Sequence, residues 1–329
     1  MLRSNFENAG TGSQSINTRD RVAVCSRSFS SNPALRAELL ARYSQVTFND
    51  AGTQLAGDAL VEFLRGHDKA ITALEVIDDS ILRCLPELKV IGKYGVGLDM
   101  IDLDSMRAHG KRLGWTGGVN RRSVAELVVA NAIAMRRHVP AAHREVLSGT
   151  WRQHVGSNLS GATVGVVGCG HVGKELVPLL RAFECPILVN DIVHFRDFYA
   201  AHGIEAVDLD TLLRRSDIVS LHVPLNDSTR GLLDGRRLAM LKASAVLINT
   251  ARGGLVDETA LKHMLRDGRL AAAAFDVFAQ EPPVDQELLA LPNFLVTPHI
   301  GGSTQESILA MGRAAIRGLD VNDVPDANP

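Results

Sequence analysis

The 329-residue chain reads as an α/β protein of two doubly wound parallel-sheet domains, one inserted into the other. Three observations predict this. Short apolar runs alternate with amphipathic stretches almost end to end, as strands buried on both faces alternate with the helices that cover them. The alternation starts afresh at Thr163, after five strands have already passed. An amphipathic stretch from Ser303 to Gly318 lies beyond the last strand, and its natural place is back across the first domain.

Composition bounds the function. With 46% hydrophobic and 22% charged residues the chain is globular material, and a net charge of −2 gives no electrostatic case for nucleic acid or an anionic membrane. A small-molecule partner is the expectation. No run approaches the roughly 18 apolar residues of a membrane helix, and no signal-peptide core opens the chain. Cys25, Cys84, Cys169 and Cys185 show neither CxxC nor zinc spacing, so reduced thiols in a cytoplasmic protein are expected. Residues 1–20, rich in Ser, Asn, Gly and Thr, read as a mobile tail.

The first domain is expected over 21–118 and 300–329. Its strands are Val22 to Cys25, Val46 to Phe48, Ala70 to Ala73, Val90 to Gly95 and Arg112 to Trp115. Helices over Leu35 to Tyr43, Ala59 to Leu64, Ser80 to Cys84 and Leu103 to His109 separate them. The loop Tyr94-Gly95-Val96-Gly97 leaves a strand at its carboxyl end, where open α/β sheets hold ligands, and its glycines free N–H groups for an anion. Residues 121–148 read as a long helix with a capping box at Ser123 and Glu126, interrupted at Pro140, and 151–161 as an irregular connection.

The second domain, 119–299, carries the strongest signal. A β-branched run, Thr163 to Val167, leads into Gly168-Cys169-Gly170-His171-Val172-Gly173, then a helix, then Ile187 to Val189 ending at Asp191. Gly168 permits the tight turn, Gly170 a close approach by pyrophosphate, and Gly173 close packing of helix on sheet. Asp191 stands about 20 residues on, where a carboxylate can take a ribose hydroxyl and disfavour a 2′-phosphate, so the cofactor is read as NAD in a Rossmann domain. Pro178 falls inside the helix and should kink it at a cost of about 3 kcal/mol. Beyond Asp191 the reading gives helices at Asp208 to Arg215, Arg236 to Leu241 and Glu258 to Asp267. Strands are read at Ile218 to Val223, Ala245 to Ala251, Ala271 to Val277 and Phe294 to Thr297.

Three polar residues follow such strands: Arg252, Glu281 and His299. A guanidinium holds a carboxylate in bidentate fashion, an imidazole exchanges a proton with a carbonyl oxygen, and a carboxylate beside the imidazole fixes its tautomer and favours its charged form. That set suits reversible reduction of a 2-keto acid. Asp276 could accept from the nicotinamide amide; His222 reads as structural, and His171 as a backbone contributor to the phosphate loop. Val223, Pro224, Thr229, Thr250, Ala251, Gly301 and Gly302 complete the expected cofactor set, with His171 and Val172 of the glycine loop.

The run Asn249-Thr250-Ala251-Arg252-Gly253-Gly254, then Phe275-Asp276-Val277-Phe278 with Glu281-Pro282, then Thr297-Pro298-His299, resembles the D-isomer-specific 2-hydroxyacid dehydrogenases, in particular the 3-phosphoglycerate dehydrogenase-like branch. The resemblance spans about residues 60 to 318. It implies a Rossmann cofactor domain inserted into a flavodoxin-like substrate domain, Arg252 orienting substrate, Glu281 supporting His299, and His299 as proton donor. It also implies Val96 and Gly97 on the substrate carboxylate, with Tyr94 and Gly95 beside them, and a homodimer formed through the cofactor domain. No regulatory domain is expected after the last helix. Where phosphoglycerate dehydrogenases usually carry an arginine after the third strand, this chain has Ala73-Leu74-Glu75; Glu281 also departs from the Gln of formate-dehydrogenase-like relatives. A dinucleotide-sensing, corepressor-like binding protein is the alternative.

Overall fold

The computed structural model describes residues 16–326, which fall into two compact units, 16–119 with 308–326 and 120–307. Residues 1–15 of the expected tail lie outside the described residues. Asn17 to Asp20, also assigned to that tail, instead open a strand. The reason is pairing: Asn17 N donates to Arg42 O at 2.7 Å, and Arg21 to Val24 register with Gln45 to Phe48.

The first unit runs β1 (Asn17–Val24), α1 (Arg27–Ser30), α2 (Pro33–Leu40), β2 (Tyr43–Phe48), α3 (Gly57–Leu64), β3 (Lys69–Thr72), α4 (Asp79–Leu82), β4 (Val90–Lys93), α5 (Leu103–Ala108) and β5 (Arg112–Gly114). Its strands pair in parallel in the order β2-β1-β3-β4-β5, the doubly wound order of flavodoxin-like sheets. The helix expected from Leu35 to Tyr43 begins earlier and stops at Leu40. Asn32 caps it ahead of Pro33, and Tyr43 is claimed by the sheet, where Lys69 Nζ donates to its hydroxyl at 3.0 Å and that hydroxyl donates to Asp320.

The second unit runs α6 (Arg121–Arg136), α7 (Val139–Leu147), β6 (Val164–Val167), α8 (His171–Ala182), β7 (Ile187–Asn190), α9 (Arg196–His202), β8 (Glu205–Ala206), α10 (Leu209–Arg215), β9 (Ile218–Leu221), α11 (Gly235–Leu238), β10 (Val246–Asn249), α12 (Glu258–Arg266), β11 (Ala272–Phe275), α13 (Gln286–Ala290) and β12 (Phe294–Val296). All seven strands are parallel, in the order β12-β11-β10-β9-β6-β7-β8. Order reverses between β6 and β9, the switch point at which such sheets bind ligands. Side chains alternate across the sheet: Val164, Val166 and Ile248 pack on one face with α6 and α8, and Val167, Leu221 and Leu247 on the other with α10 to α12.

The long helix expected over 121–148 is two helices. His138 between them is left-handed, with φ 54°, and Pro140 sits in the first turn of α7, where its missing N–H costs nothing. Pro178 does not divide α8. It is exposed, while Leu176, Val177 and Leu180 are buried and hold the helix on the sheet.

The last helix, α14 (Gln305–Gly318), starts in the second unit and ends in the first. In the first unit a Cβ at Gly92 would stand 2.6 Å from Ala315 O, and one at Gly114 would stand 2.1 Å from Gly318 O. These glycines let the helix lie on the sheet. The division after residue 307, rather than before 300, follows from Asp276, which holds Ile300 N at 2.8 Å and Gly301 N at 2.7 Å.

Candidate active site

The chain leaves β6 at Gly168, whose φ of 93° disfavours any side chain. A Cβ there would lie 2.7 Å from His222 O and 2.8 Å from Val223 Cγ1, and one at Gly173 would lie 2.3 Å from Gly168 O. Packing alone requires both glycines. Gly170 is different, since nothing lies within 4 Å of a Cβ built on it. It is the N-cap of α8, and no side chain caps that helix. The first-turn N–H groups thus lack a side-chain cap and lie at the positive end of the helix dipole, the arrangement that receives phosphate.

Asp191 follows β7 and ties the surrounding loops together, accepting from Cys169 N through Oδ2 and from Val193 N at 2.8 Å through Oδ1. Lone pairs remain on both oxygens for a ribose hydroxyl. His171 is exposed and Val172 half-buried at the start of α8. Half-buried Val223 borders Gly168. Thr229 Oγ1 donates to Pro224 O at 2.6 Å, so this hydroxyl braces the 224–229 turn. His222 hydrogen-bonds Ser220 Oγ at 2.9 Å, and enclosure of the ring depresses it to about 4, keeping it neutral.

Four buried side-chain polar atoms have no hydrogen-bond partner among the described residues, and two of them, Thr250 Oγ1 and Asn120 Oδ1, belong to the second unit's β10 and α6 ends. Thr250 follows β10; Asn120 precedes α6, with its Nδ2 2.9 Å from where Gly302 would carry a Cβ. Unsatisfied buried acceptors and donors are costly, so these two fit an incoming polar group. Sequence reading missed Asn120, because an Asn before a helix looks like an ordinary cap; here its side chain caps nothing.

Beyond β10 the side chain of Asn249 fixes a turn, its Nδ2 donating to Arg252 O at 2.9 Å and its Oδ1 accepting from Ala251 N at 3.1 Å. Arg252 is half-buried, with Nη1 on Ala251 O at 2.7 Å. The next residue, Gly253, lies flat on another loop: a Cβ on it would come within 1.9 Å of the Phe278 carbonyl and 2.4 Å of Ala279 N. The Arg252 turn is thus packed on the loop that carries Glu281. Glu281 Oε1 accepts from Phe278 N at 3.1 Å, and its Oε2 lies 2.9 Å from His299 Nδ1. His299 has φ 55°, and its N–H donates to Asp276 O at 2.9 Å. This left-handed residue is held where Nδ1 meets the carboxylate, which leaves Nε2 for a substrate.

Asp276 is 1% exposed and accepts from Thr297 Oγ1 at 2.6 Å, Ile300 N at 2.8 Å and Gly301 N at 2.7 Å. Three donors make this carboxylate the knot that shapes the 297–302 loop. In the first unit, Tyr94 turns its ring into the core, edge-on to Phe29 at 5.6 Å, so only its backbone is available to a ligand. Gly95 has φ 125°, and Val96 O accepts from Trp115 Nε1 at 3.0 Å. Among the described residues no group of three or more potential ligands could hold a metal, and no helix is long and apolar enough to cross a membrane.

Residues 129–301 match the family model for the D-isomer specific 2-hydroxyacid dehydrogenase, NAD binding domain. The chain is 36% identical over 268 residues to a D-3-phosphoglycerate dehydrogenase of Methanocaldococcus jannaschii, covering 80% of this chain and 51% of that one. It is 34% identical over 270 residues to a glyoxylate reductase of Thermococcus litoralis, covering 79% and 82%. The chain therefore spans about half the length of the phosphoglycerate dehydrogenase it matches, but most of the reductase. Among solved structures, a D-isomer specific 2-hydroxyacid dehydrogenase described as putative, from Polaromonas sp. JS6 66, superposes with a TM-score of 0.84 at 31% identity, covering 92% of this chain and 95% of that one. With its glycine loop, its Asp191 and its NAD-binding domain at 129–301, the chain belongs to the D-isomer specific 2-hydroxyacid dehydrogenase family.

Proposed function

We propose that the protein is an NAD-dependent D-2-hydroxyacid dehydrogenase acting on a small 2-keto or 2-hydroxy acid. The 2.9 Å pair between His299 Nδ1 and Glu281 Oε2 carries this reading. NAD supplies or accepts the hydride at C2 when bound. His299 gives the substrate oxygen a proton from Nε2 during reduction and takes it back in oxidation, and Glu281 stabilises the imidazolium. Arg252 holds the carboxylate and polarises the neighbouring carbonyl. Gly170 with the backbone of His171 and Val172 would cradle the pyrophosphate, on a loop that Gly168 and Gly173 hold in place; Asp191 would take the ribose, and Thr250, Asp276, Gly301 and Gly302 would line the nicotinamide side with Val223, Pro224, Thr229 and Ala251. On the first unit, Gly95, Val96 and Gly97 offer backbone N–H groups to an acid.

The reading includes a homodimer formed through the second unit. In its support, Val139, Val146, Leu147, Trp151 and Val155 stand exposed on α7 and the segment after it, Trp151 at 86%. Four free thiols suit the reducing cytoplasm. NADH oxidation followed against glyoxylate, hydroxypyruvate and phosphohydroxypyruvate tests the activity. Turnover with at least one is expected. Tight NADH binding with no turnover on any 2-keto acid would instead mark a dinucleotide-sensing binding protein.

A further inference from the structure

The loop that presents Glu281 is held by a residue outside the arginine, glutamate and histidine set. Ala279 N donates to Glu258 Oε1 at 2.8 Å. The Phe278–Ala279 peptide is thereby fixed twice, by Gly253 lying against its plane and by Glu258 taking its N–H. Below it, Phe278 is buried, with its ring 6.1 Å from Phe275 and 6.2 Å from Phe294. Phe278 N is also the donor to Glu281 Oε1. One short path runs from Glu258 through this peptide to Glu281 and on to His299 Nδ1.

We propose that Glu258 is a positioning residue for the proton-transfer pair: by anchoring the Phe278–Ala279 peptide it sets where the Glu281 carboxylate meets the imidazole of His299. This rests on the dehydrogenase reading above. As a first-turn acid of α12 Glu258 has an obvious helical role, but Asp257 already caps that helix through Ala260 N at 2.9 Å. Glu258 is drawn instead to a neighbouring loop and is half-buried there, and burial pushes its carboxyl up. That is an expensive place for a charge that serves the helix dipole alone.

The test compares Glu258→Ala, Glu258→Gln and Glu281→Gln, singly and combined, by kcat, KM and the pH profile of keto-acid reduction. NADH affinity measured by fluorescence checks the fold. Glu258→Ala should lower kcat about tenfold, with KM changed less than about threefold. It should also move the His299 limb of the profile to lower pH, because the imidazolium loses its carboxylate. Glu258→Gln, whose amide oxygen still accepts from Ala279 N, should stay within about threefold of the parent. A helix-dipole role predicts equal losses in both variants, since both remove the charge, and that result would overturn the proposal. In the Glu281→Gln background Glu258→Ala should cost nothing further, whereas full additivity would also overturn it. If Glu258→Ala fails to fold, Glu258→Asp decides: too short to reach the loop, it should reproduce the profile shift, and an unshifted profile refutes the anchor. His299→Ala separates the two readings. Near-parental turnover there defeats the dehydrogenase assignment itself, while an inactive His299→Ala beside an unshifted Glu258→Ala defeats only the role of Glu258.

Discussion

Two helices of the second unit receive the chain from neighbouring parts of one sheet and end their N-termini in opposite ways. At α12 the orphan N–H groups are met from within, Asp257 accepting from Ala260 N, and the adjacent carboxylate of Glu258 is spent on Ala279 N. At α8 no side chain caps the first turn, and the residue at the cap position, Gly170, has nothing within 4 Å of a Cβ. The lesson concerns what each terminus is for. Satisfied by its own side chains, a helix start is a joint; left open beside a glycine, it is half of a binding site whose other half is the ligand.

The largest effect expected lies at the joint side of this comparison. His299→Ala, which removes the group held by the Glu281 loop, should lower kcat by about 10²- to 10⁴-fold with NADH affinity unchanged, read by steady-state kinetics and fluorescence titration. Within the glycine loop, Gly173→Ala and Gly170→Ala should part company. The first drives a methyl to 2.3 Å from Gly168 O and should cost about 1–3 kcal/mol of stability, seen as a lower Tm. The second meets only open space, so Tm should hold while NADH binding weakens about tenfold, or about 1.4 kcal/mol. Equal behaviour of the two would erase the distinction between a packing glycine and a ligand glycine. At α12, Asp257→Ala should cost about 1 kcal/mol by chemical denaturation and leave NADH affinity alone.

A last effect, which emerges only as the medium turns acidic, concerns His222, behind the glycine loop. Its folded-state value is depressed from 6.5 to about 4 by burial, so the unfolded chain binds a proton that the folded chain refuses. Stability should therefore fall as pH drops from about 6.5 towards 4, and His222→Asn should flatten that part of a Tm–pH curve.

The fold was legible where periodicity was long and unambiguous. β6 and β7 were read within a residue or two and a helix was expected between them, because a β-branched run, three glycines and an amphipathic stretch leave one consistent interpretation. Short elements escaped: α1, α9, β8 and α13 have two to seven residues, too few for a period to show. Tyr43 was read as helix because its local neighbours favour one, while its bonds to Lys69 and Asp320 lie 26 and 277 positions away. In the site, Arg252, Glu281 and His299 were visible as chemistry following strands. Glu258 was visible only as a helix start, and Tyr94 looked available when its ring is core.

The sequence by itself determined the strand, glycine and helix order of the second unit, the carboxylate at Asp191 and the chemical types of the three candidate catalytic residues, since each depends on neighbours within a few positions. Tertiary structure alone decided which glycine of the loop stands in open space, why His299 adopts a left-handed backbone under Asp276, and how Glu258 reaches the loop of Glu281. Those outcomes rest on contacts between segments far apart in the chain. Their geometry is set by how parallel strands stack their carboxyl ends, and no local pattern encodes it.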